Sequence, residues 1–264
     1  MPQYLAIVLA AGKGTRMLSD LPKVLVQVCG RPMIEYVLDA LTAAGVDQII
    51  VVVGYRAELV RSLLAGRPGV QFAVQTEQLG TGHAVMACRE HLTRHQGPVL
   101  VVTGDSPMMR AESLTALLAE FERQPAACLL GTAYKQNPTG LGRILRNAEG
   151  DLTDIVEEKD ATEEQRRVTE VNMSYYVFRC FDLLQALSYI RSDNSQGEYY
   201  LTDCPGVLVN QGRTVRAAPV LQPDEALGIN TLEELAVVEA AMAKHSARVA
   251  RPAKTRSPRP NSTP

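Results

Sequence analysis

The sequence predicts an α/β fold in which a doubly wound, mostly parallel sheet is followed by a mixed β region. Three observations predict it: short apolar strands alternate with helices up to residue 123, a glycine loop follows the first strand, and the later strands lack a helix between each. Alternation favours parallel pairing because each helix carries the chain back to the edge where the next strand starts. The mixed region is expected to form the far wall of a cleft.

Apolar runs and apolar periodicity predict the individual elements. Short runs rich in apolar, strand-forming residues predict strands at 4–9, 48–54, 70–74 and 99–103. Apolar residues at helical spacing predict helices at 32–44, 58–65, 82–94 and 112–123. Further strands are predicted at 128–134, 142–146, 152–156 and 170–178, and a further helix at 181–190.

The C-terminal region divides into a helix and a tail. Thr231-Leu232-Glu233-Glu234 has the pattern of a capping box, which predicts a helix from Thr231 to about residue 248. The segment beyond it has no apolar periodicity, so it is predicted to be disordered. We therefore expect a main domain at 1–230, a helix at 231–250 and a disordered basic tail at 251–264.

Composition indicates a globular protein with reduced thiols. With 264 residues, 46% of them hydrophobic, the chain can bury a large core. It has no apolar run of about 18 residues and no leader pattern, so we expect neither a membrane span nor secretion. The five cysteines are far apart, which favours free thiols that fill the core of a cytoplasmic protein and argues against disulfides and structural zinc.

The charge of the chain is unevenly distributed. The formal net charge is −2, yet five of the 27 basic residues and none of the 29 acidic ones lie between Arg248 and Pro264. The main domain is therefore acidic, and an acidic surface is repelled by phosphate backbones. We expect no nucleic-acid partner.

A phosphate-binding loop is predicted after the first strand. Gly12 and Gly14 allow the backbone to bend sharply and to point several N–H groups in one direction. Lys13, Arg16 and Lys23 place three cations close to the end of that strand. The alternative interpretation is a surface loop whose charge is incidental.

Two better-known phosphate loops are excluded by spacing. A Walker loop needs four residues between its glycines, whereas only Lys13 lies between Gly12 and Gly14. A dinucleotide-binding loop needs a glycine at position 17 and a helix directly after it. Here Met17 is followed by the turn-like stretch Ser19-Asp20-Leu21-Pro22.

Asp105 and Asn230 are candidate metal ligands. Asp105 directly follows a predicted buried strand, and ligands of open α/β sheets collect at the carboxyl ends of strands. Mg²⁺ needs only one or two protein ligands when phosphates and water supply the others. The alternatives are an Asx turn at Asp105 and a helix-entry role for Asn230.

The loop from Gln75 to His83 is a candidate base-binding segment. A glutamine amide both donates and accepts, which suits the imide edge of uracil. Because the amide can flip, Gln75 would not reject cytosine by itself, whereas fixed backbone groups of Ala11 or Gly80 could. His83 is interpreted as a packed or partly exposed helix residue rather than a catalytic one.

Carboxylate and amide side chains in the mixed β region suit a sugar. Glu157, Asn172 and the glycine-rich stretch Gly140-Leu141-Gly142-Arg143 could satisfy sugar hydroxyls. The alternative for Glu157 is an exposed acid in a charged run.

Five stretches in this order resemble the sugar-1-phosphate nucleotidyltransferases, and among them the uridyltransferase domain of bacterial GlmU-type N-acetylglucosamine-1-phosphate enzymes. They are Leu9 to Met17 with Leu21-Pro22-Lys23, Gln78 to Ala84, Gly142 to Ile144, Ile155 to Thr162, and Gln196 to Asp203. The resemblance covers about residues 4–235. It implies a Rossmann-like doubly wound mixed sheet, the nucleotide-diphospho-sugar transferase fold, with a β-rich sugar-binding region.

The resemblance also implies a role for each matching residue. It implies that UTP and a sugar 1-phosphate are the substrates, that Mg²⁺ is the cofactor, and that Arg16 and Lys23 hold the UTP phosphates and act catalytically. It implies Asp105 and Asn230 as Mg²⁺ ligands. The implied substrate-binding residues are Leu9, Ala10, Ala11, Gly12, Gln75, Gly80 and Thr81 for uridine, Gly142, Glu157 and Asn172 for the sugar, and Thr103, Gly104 and Asn230 beside them.

Three departures from the family pattern are visible. Thr103 stands where a tyrosine is common, and Met173-Ser174 stands where Thr or Ser and then Gly are usual. Both lie near the expected sugar pocket, so they bear on which sugar is accepted. The hexapeptide repeats of an acetyltransferase domain do not follow, so acetyl transfer is not expected.

The implied reaction makes UDP-N-acetylglucosamine, a cell-wall precursor, and pyrophosphate. The phosphate of the sugar is already a nucleophile, which fits a sequence without a Ser/His/Asp or Cys/His constellation. Two alternatives stay open: a uridylyl- or thymidylyltransferase for another hexose 1-phosphate, and a catalytically silent regulator that binds nucleotide sugars. The oligomeric state also stays open.

Overall fold

The structure of the chain, a computed structural model, describes residues 3–14, 17, 20–229 and 231–249, and of 245–249 the backbone only. The predicted tail at 251–264 lies outside the described residues. Two predicted site residues, Arg16 and Asn230, also lie outside them.

Eleven strands are described, and nine of them form one sheet. The strands are Leu5–Ala10 (β1), Gln27–Val28 (β2), Arg31–Pro32 (β3), Gln48–Val53 (β4), Val70–Val74 (β5), Pro98–Thr103 (β6), Cys128–Tyr134 (β7), Arg143–Arg146 (β8), Leu152–Val156 (β9), Glu170–Arg179 (β10) and Val215–Ala218 (β11). The main path through the sheet is β11-β7-β10-β6-β1-β4-β5, and β8 and β9 are attached beside β10.

The sheet is mixed, as the sequence predicts. β5, β4, β1 and β6 are parallel, β10 is antiparallel to β6 and β7, and β11 is parallel to β7. The chain builds outward from β1 through β4 to β5 and then returns to place β6 on the other side of β1. The topological switch point, where ligands of such sheets bind, therefore lies between β1 and β6.

Helices cover both faces of this sheet. They are Met33–Ala43 (α1), Ala57–Leu63 (α2), Thr81–Met86 (α3), Arg89–Arg94 (α4), Ala111–Arg123 (α5), Glu163–Arg166 (α6), Cys180–Leu187 (α7), Asp203–Asn210 (α8) and Leu232–Val249 (α9). Alternate β1 residues face opposite cores: Val8 packs with α1 and α5, and Ile7 packs with α3 and α7. A third cluster, which includes Met17, Met108 and Val238, holds α9 against the loops near β1 and β6.

Some predicted elements differ from the structure. The helix predicted at 82–94 is two helices, because Cys88 N–H bonds to the Val85 carbonyl at 2.9 Å in a 3₁₀-type turn that interrupts the α-helical pattern. The interruption leaves both halves on the core. All five cysteines are free, but Cys29 is exposed in the turn between β2 and β3, so its predicted role as core filler is wrong. Among the described residues, no helix combines the length and apolar character needed to cross a bilayer.

Candidate functional site

The site is built at the carboxyl ends of β1 and β6. These strands pair in parallel with Leu9 opposite Thr103, so the segments that follow them emerge side by side. Gly104 N–H donates to the Leu9 carbonyl at 2.9 Å and joins the two segments. A Cβ at Gly104 would lie 3.1 Å from that carbonyl oxygen, which favours glycine at this close approach.

The glycine loop folds back onto Lys23. Lys23 N–H donates to the Gly12 carbonyl at 3.4 Å, and Met17 N–H donates to the Gly14 carbonyl at 2.9 Å. Gly14 has φ +67°, and a Cβ there would lie 2.8 Å from the Lys23 Cβ. Gly12 faces open space, so its backbone is accessible to a ligand.

Lys23 and Asp105 form an ion pair across the switch point. The Lys23 ammonium contacts the Asp105 carboxylate, and the two side chains are 17% and 26% exposed. The fold thus places a cation from the segment after β1 against an anion from the turn after β6. From the sequence, Lys23 is predicted to hold phosphate and Asp105 to hold a metal ion. Their contact with each other is not predicted.

The loop from Gln75 to Thr81 is held by its own polar groups. The buried Gln75 amide donates to the Gly80 carbonyl at 3.0 Å and lies 3.1 Å from His83 Nδ1. Gln78 Nε2 donates to the Ala11 carbonyl at 3.1 Å and ties this loop to the glycine loop. Thr81 Oγ1 accepts from Leu201 N–H at 3.0 Å.

The carbonyls of Ala11 and Gly80 are already occupied. Ala11 O also accepts from Tyr55 N–H at 3.1 Å, and Gly80 O also accepts from Ala84 N–H at 3.1 Å, so each oxygen takes two bonds within the protein. A carbonyl has two lone pairs, so neither oxygen is left to contact a base. Any backbone contact from Ala11 or Gly80 to a base would therefore have to use their N–H groups.

If UTP is the nucleotide, as the resemblance implies, we predict that Gly80→Ala raises the KM for UTP about tenfold, because an L residue in the left-handed region is strained by roughly 1–2 kcal/mol. Gly80 has φ +103°, and a Cβ there would lie 2.6 Å from the Tyr199 carbonyl oxygen. The loop must therefore shift. The measurement is the dependence of rate on UTP concentration, with Gly212→Ala as control, since Gly212 has φ +70° and open space around its Cβ. An unchanged KM would contradict the prediction.

The residues predicted to bind the sugar lie at a bulge in β10. The register of β10 against β7 shifts between Asn172 and Tyr175, and Ser174 has φ +58°. Asn172 N–H donates to the Gly142 carbonyl at 2.9 Å, which brings two predicted sugar-binding residues together. The Asn172 amide donates to Tyr176 OH at 2.6 Å and accepts from Ser174 N–H at 3.1 Å, and it keeps one N–H and one lone pair.

Glu157 lies in a separate acidic cluster. Its carboxylate accepts from Thr202 Oγ1 at 3.0 Å, and burial raises its pKa. Neighbouring Asp203 begins α8, and burial together with Asp154 and Glu157 raises the pKa of Asp203 to about 6. The prediction that Glu157 is an exposed acid, the alternative to sugar binding, does not fit its burial.

We predict that Asp203→Asn raises the thermal midpoint by a few degrees at about pH 8 and has no effect near about pH 4. The ordinary pKa of an aspartate is 3.8, and that of Asp203 in the folded chain is about 6. Between these two pH values the folded chain retains a proton that the unfolded chain has lost. The folded state therefore becomes relatively less stable as the pH rises through this range. Thermal unfolding across pH measures the effect, with exposed Asp151→Asn as control. A pH-independent shift would contradict it.

A cleft of about 590 Å³ opens at this edge of the sheet. The predicted site residues that line it are Thr103, Asp105 and Asn172, and the Thr103 hydroxyl lies 2.8 Å from the Ser106 hydroxyl. Gln75, Gly80, Gly142 and Glu157 do not line it. Its remaining walls are the loop after β7, the segment 225–228 and the start of α9.

Lys135 is a cleft residue that the sequence analysis missed. It follows β7, which runs parallel to β6, so Lys135 emerges at the same edge of the sheet as Asp105. The signal was a lysine between a predicted strand and the Pro138-Thr139-Gly140 turn. A larger cavity of about 640 Å³ lies at the amino ends of β1 and β4, away from the switch point.

The comparisons with known proteins agree with this geometry. The MobA-like NTP transferase domain family matches residues 6–194. A bifunctional protein GlmU from Bacillus licheniformis is 43% identical over 239 residues, which is 90% of this chain and 52% of that protein. One from Enterococcus faecalis is 45% identical over 230 residues, which is 87% of this chain and 50% of that protein. The chain thus spans about half the length of these relatives.

Solved structures share the fold at low sequence identity. A putative glucose-1-phosphate thymidylyltransferase from Bacillus anthracis superposes with a TM-score of 0.74 at 18% identity, over 90% of this chain and 94% of that one. A UDP-glucose pyrophosphorylase bound to UDP-glucose superposes with a TM-score of 0.73 at 15% identity, over 93% of this chain and 100% of that one. The predicted nucleotide-diphospho-sugar transferase fold is confirmed.

Proposed function

The chain belongs to the MobA-like NTP transferase domain family, and from that membership we propose that it transfers the uridylyl group of UTP to N-acetylglucosamine 1-phosphate. The products are UDP-N-acetylglucosamine and pyrophosphate. The choice of reaction rests on the identity of 43–45% to GlmU proteins. The structural observation that supports the proposal is the contact between Lys23 and Asp105 at the switch point.

The orientation of Gln75 supports uracil as the base. The Gly80 carbonyl can only accept, so it fixes the NH₂ group of the Gln75 amide on its own side. A flipped amide would place two oxygens against each other. The Gln75 oxygen would then be available to accept from the N3–H of uracil, whereas cytosine has no hydrogen at N3. The Gly80 carbonyl therefore prevents the flip that a free glutamine amide could make.

The bulge in β10 supports a sugar as the acceptor. Asn172 retains one amide N–H and one lone pair, which can bond to two sugar groups. Gly142 packs closely beside it, since a Cβ there would lie 3.4 Å from the Asn172 Cβ and 3.6 Å from atoms of Ile155 and Val156. Glu157 would contribute a carboxylate from the neighbouring cluster. We assign these three residues, with Thr103 and Gly104, to the acceptor.

Asp105 is the proposed protein ligand of a divalent metal ion. Nucleotidyltransferases of this family generally use one, and we propose Mg²⁺. The described residues contain no group of three or more His, Cys, Asp or Glu that could hold a metal by themselves. Mg²⁺ does not need such a group, since it keeps several waters and uses substrate phosphates. Asp105 would hold it with Asn230, and when bound it would supply positive charge to the phosphates.

The residues of the chain would act by position and charge. The glycine loop would hold the triphosphate with backbone N–H groups, and Arg16 and Lys23 would balance its negative charge. An oxygen of the sugar phosphate would attack the α-phosphorus in line, and the bond from that phosphorus to the pyrophosphate oxygen would break. No proton has to be removed from the nucleophile, so the site needs no general base.

Pyrophosphate release tests the proposal. The purified chain is incubated with Mg²⁺, UTP, CTP or dTTP, and a panel of hexose 1-phosphates. We expect the highest kcat/KM with UTP and N-acetylglucosamine 1-phosphate. Preference for another sugar or for dTTP would support the uridylyl- or thymidylyltransferase alternative. No turnover with any pair, together with measurable binding of UDP-sugar, would overturn catalysis and support the regulator.

A further inference from the structure

Lys135 differs from the other sheltered cations of the described residues. Lys23, Arg67, Arg110, Arg143 and Arg213 each pair with a carboxylate, and Arg216 bonds to an amide oxygen. The half-buried Lys135 has no carboxylate within 4.0 Å of its ammonium and no side-chain hydrogen bond in the described part of the chain. Its positive charge is therefore held partly out of water with no carboxylate in direct contact, although Asp105, Glu225, Glu233 and Glu234 line the same cleft.

The position of Lys135 is fixed by the sheet edge. Its N–H donates to the Thr169 carbonyl at 2.9 Å, continuing the pairing of β7 with β10 by one residue. Its side chain lines the 590 Å³ cleft together with Asn172 and Asp105. Partial burial lowers its pKa, and no neighbouring acid offsets that cost. An anion bound in the cleft would restore the favourable interaction.

The residues that line the cleft indicate which anion would bind beside Lys135. The walls around Lys135 come from the loop after β7, with Thr139 and Gly140, and from the β10 bulge, with Asn172. No described residue of the glycine loop lines this cleft. Of the residues assigned to the acceptor, Asn172 and Thr103 line this cleft, whereas Gly142 and Glu157 do not. The cleft therefore borders the acceptor at Asn172 and Thr103, and the anionic group of the acceptor is its 1-phosphate.

We propose that Lys135 is a further substrate-binding residue that pairs with the phosphate of the sugar 1-phosphate. This rests on the proposed function. The ammonium would donate to one phosphate oxygen from the β7 side, while Lys23 approaches the reacting phosphates from the β1 side. The pair would hold the acceptor for in-line attack without taking part in a proton transfer.

Steady-state kinetics of Lys135→Gln and Lys135→Arg test this proposal. Removing one charge-assisted hydrogen bond is worth about 1.5–3 kcal/mol, so Lys135→Gln should raise the KM for the sugar 1-phosphate about 10–100-fold. The KM for UTP should stay nearly constant, because the glycine loop lies outside this cleft. Lys135→Arg keeps the charge and should recover most of the loss. A merely structural role would alter both KM values together.

Two further measurements separate the outcomes. Arg94→Gln, which removes an exposed cation at the opposite edge of the sheet, is the control and should leave both KM values unchanged. Normal wild-type turnover with an unchanged acceptor KM in Lys135→Gln would overturn the assignment of Lys135 alone. A wild-type chain without pyrophosphate release would overturn the proposed function instead. Equal loss in Lys135→Gln and Lys135→Arg would also overturn the role of charge.

Discussion

Lys23→Ala is expected to lower kcat/KM for the proposed uridylyl transfer by about 10²–10³-fold, the scale for losing one preorganised electrostatic contact. Lys23 is preorganised by the protein: its N–H bonds to the Gly12 carbonyl, and its side chain packs against Gly14. Its ammonium is also held by Asp105. A cation already in place needs no rearrangement when charge develops on the α-phosphate. Initial rates of pyrophosphate release measure the effect.

The matched control for this variant is Lys13→Ala. Lys13 lies in the same loop, but it is exposed and its ammonium is 5.3 Å from the centre of the Tyr55 ring. An exposed charge of this kind contributes little, so we expect a change of about threefold or less. Thermal unfolding confirms that both variants fold. Wild-type turnover in a folded Lys23→Ala protein would remove Lys23 from the mechanism.

The sequence predicts the strands of this fold well because their signal is strong. β1, β4 and β6 are short, mostly apolar runs buried on both faces, which the parallel centre of an α/β sheet requires. In an open α/β sheet, ligands bind at the carboxyl ends of the strands. The predicted strands therefore indicate that Gly12, after β1, and Asp105, after β6, lie at the same edge of the sheet. The capping box at Thr231 is also present, with Glu234 N–H donating to Thr231 Oγ1 at 3.2 Å.

The elements that sequence missed are short or have weak local signals. α8 contains Pro205 and Gly206, which are poor helix formers, and it is stabilised by packing of Cys204 and Leu208 in the core. β11 has four residues and exists because β7 offers it an edge. Tertiary contacts of this kind are not encoded in any local pattern.

Contacts within the site were the least predictable feature. The ion pair of Lys23 with Asp105 joins residues 82 positions apart, and the amide of Gln75 is oriented by a carbonyl five residues away. Residue types and spacing indicate which chemistry is present. The direction of each donor and acceptor depends on loop geometry, as the doubly bonded Ala11 and Gly80 carbonyls demonstrate.

Asp105→Asn is expected to raise the Mg²⁺ concentration for half-maximal activity about 10–100-fold, the loss typical of weakened metal coordination. The amide keeps the shape of the carboxylate but removes its negative charge. Mg²⁺ prefers negatively charged oxygen ligands. The variant also removes the partner of Lys23. A changed rate alone is therefore insufficient, and Mn²⁺ binding in the presence of UTP, measured by paramagnetic resonance, supplies a second readout.

The control for Asp105 is Glu233, an acid that is not proposed as a metal ligand. Glu233 lines the same cleft, and hydrogen bonds at the start of α9 lower its pKa, so it is a carboxylate near the site whose role is to cap a helix. Glu233→Gln should leave the metal dependence unchanged, which would show that the effect belongs to Asp105 rather than to the negative charge of the cleft. If Asp105→Asn binds Mn²⁺ and responds to Mg²⁺ as the wild type does, Asp105 is not a ligand. Its pairing with Lys23 would then be structural, and the charge on the triphosphate would have to be balanced by Arg16 and Lys23.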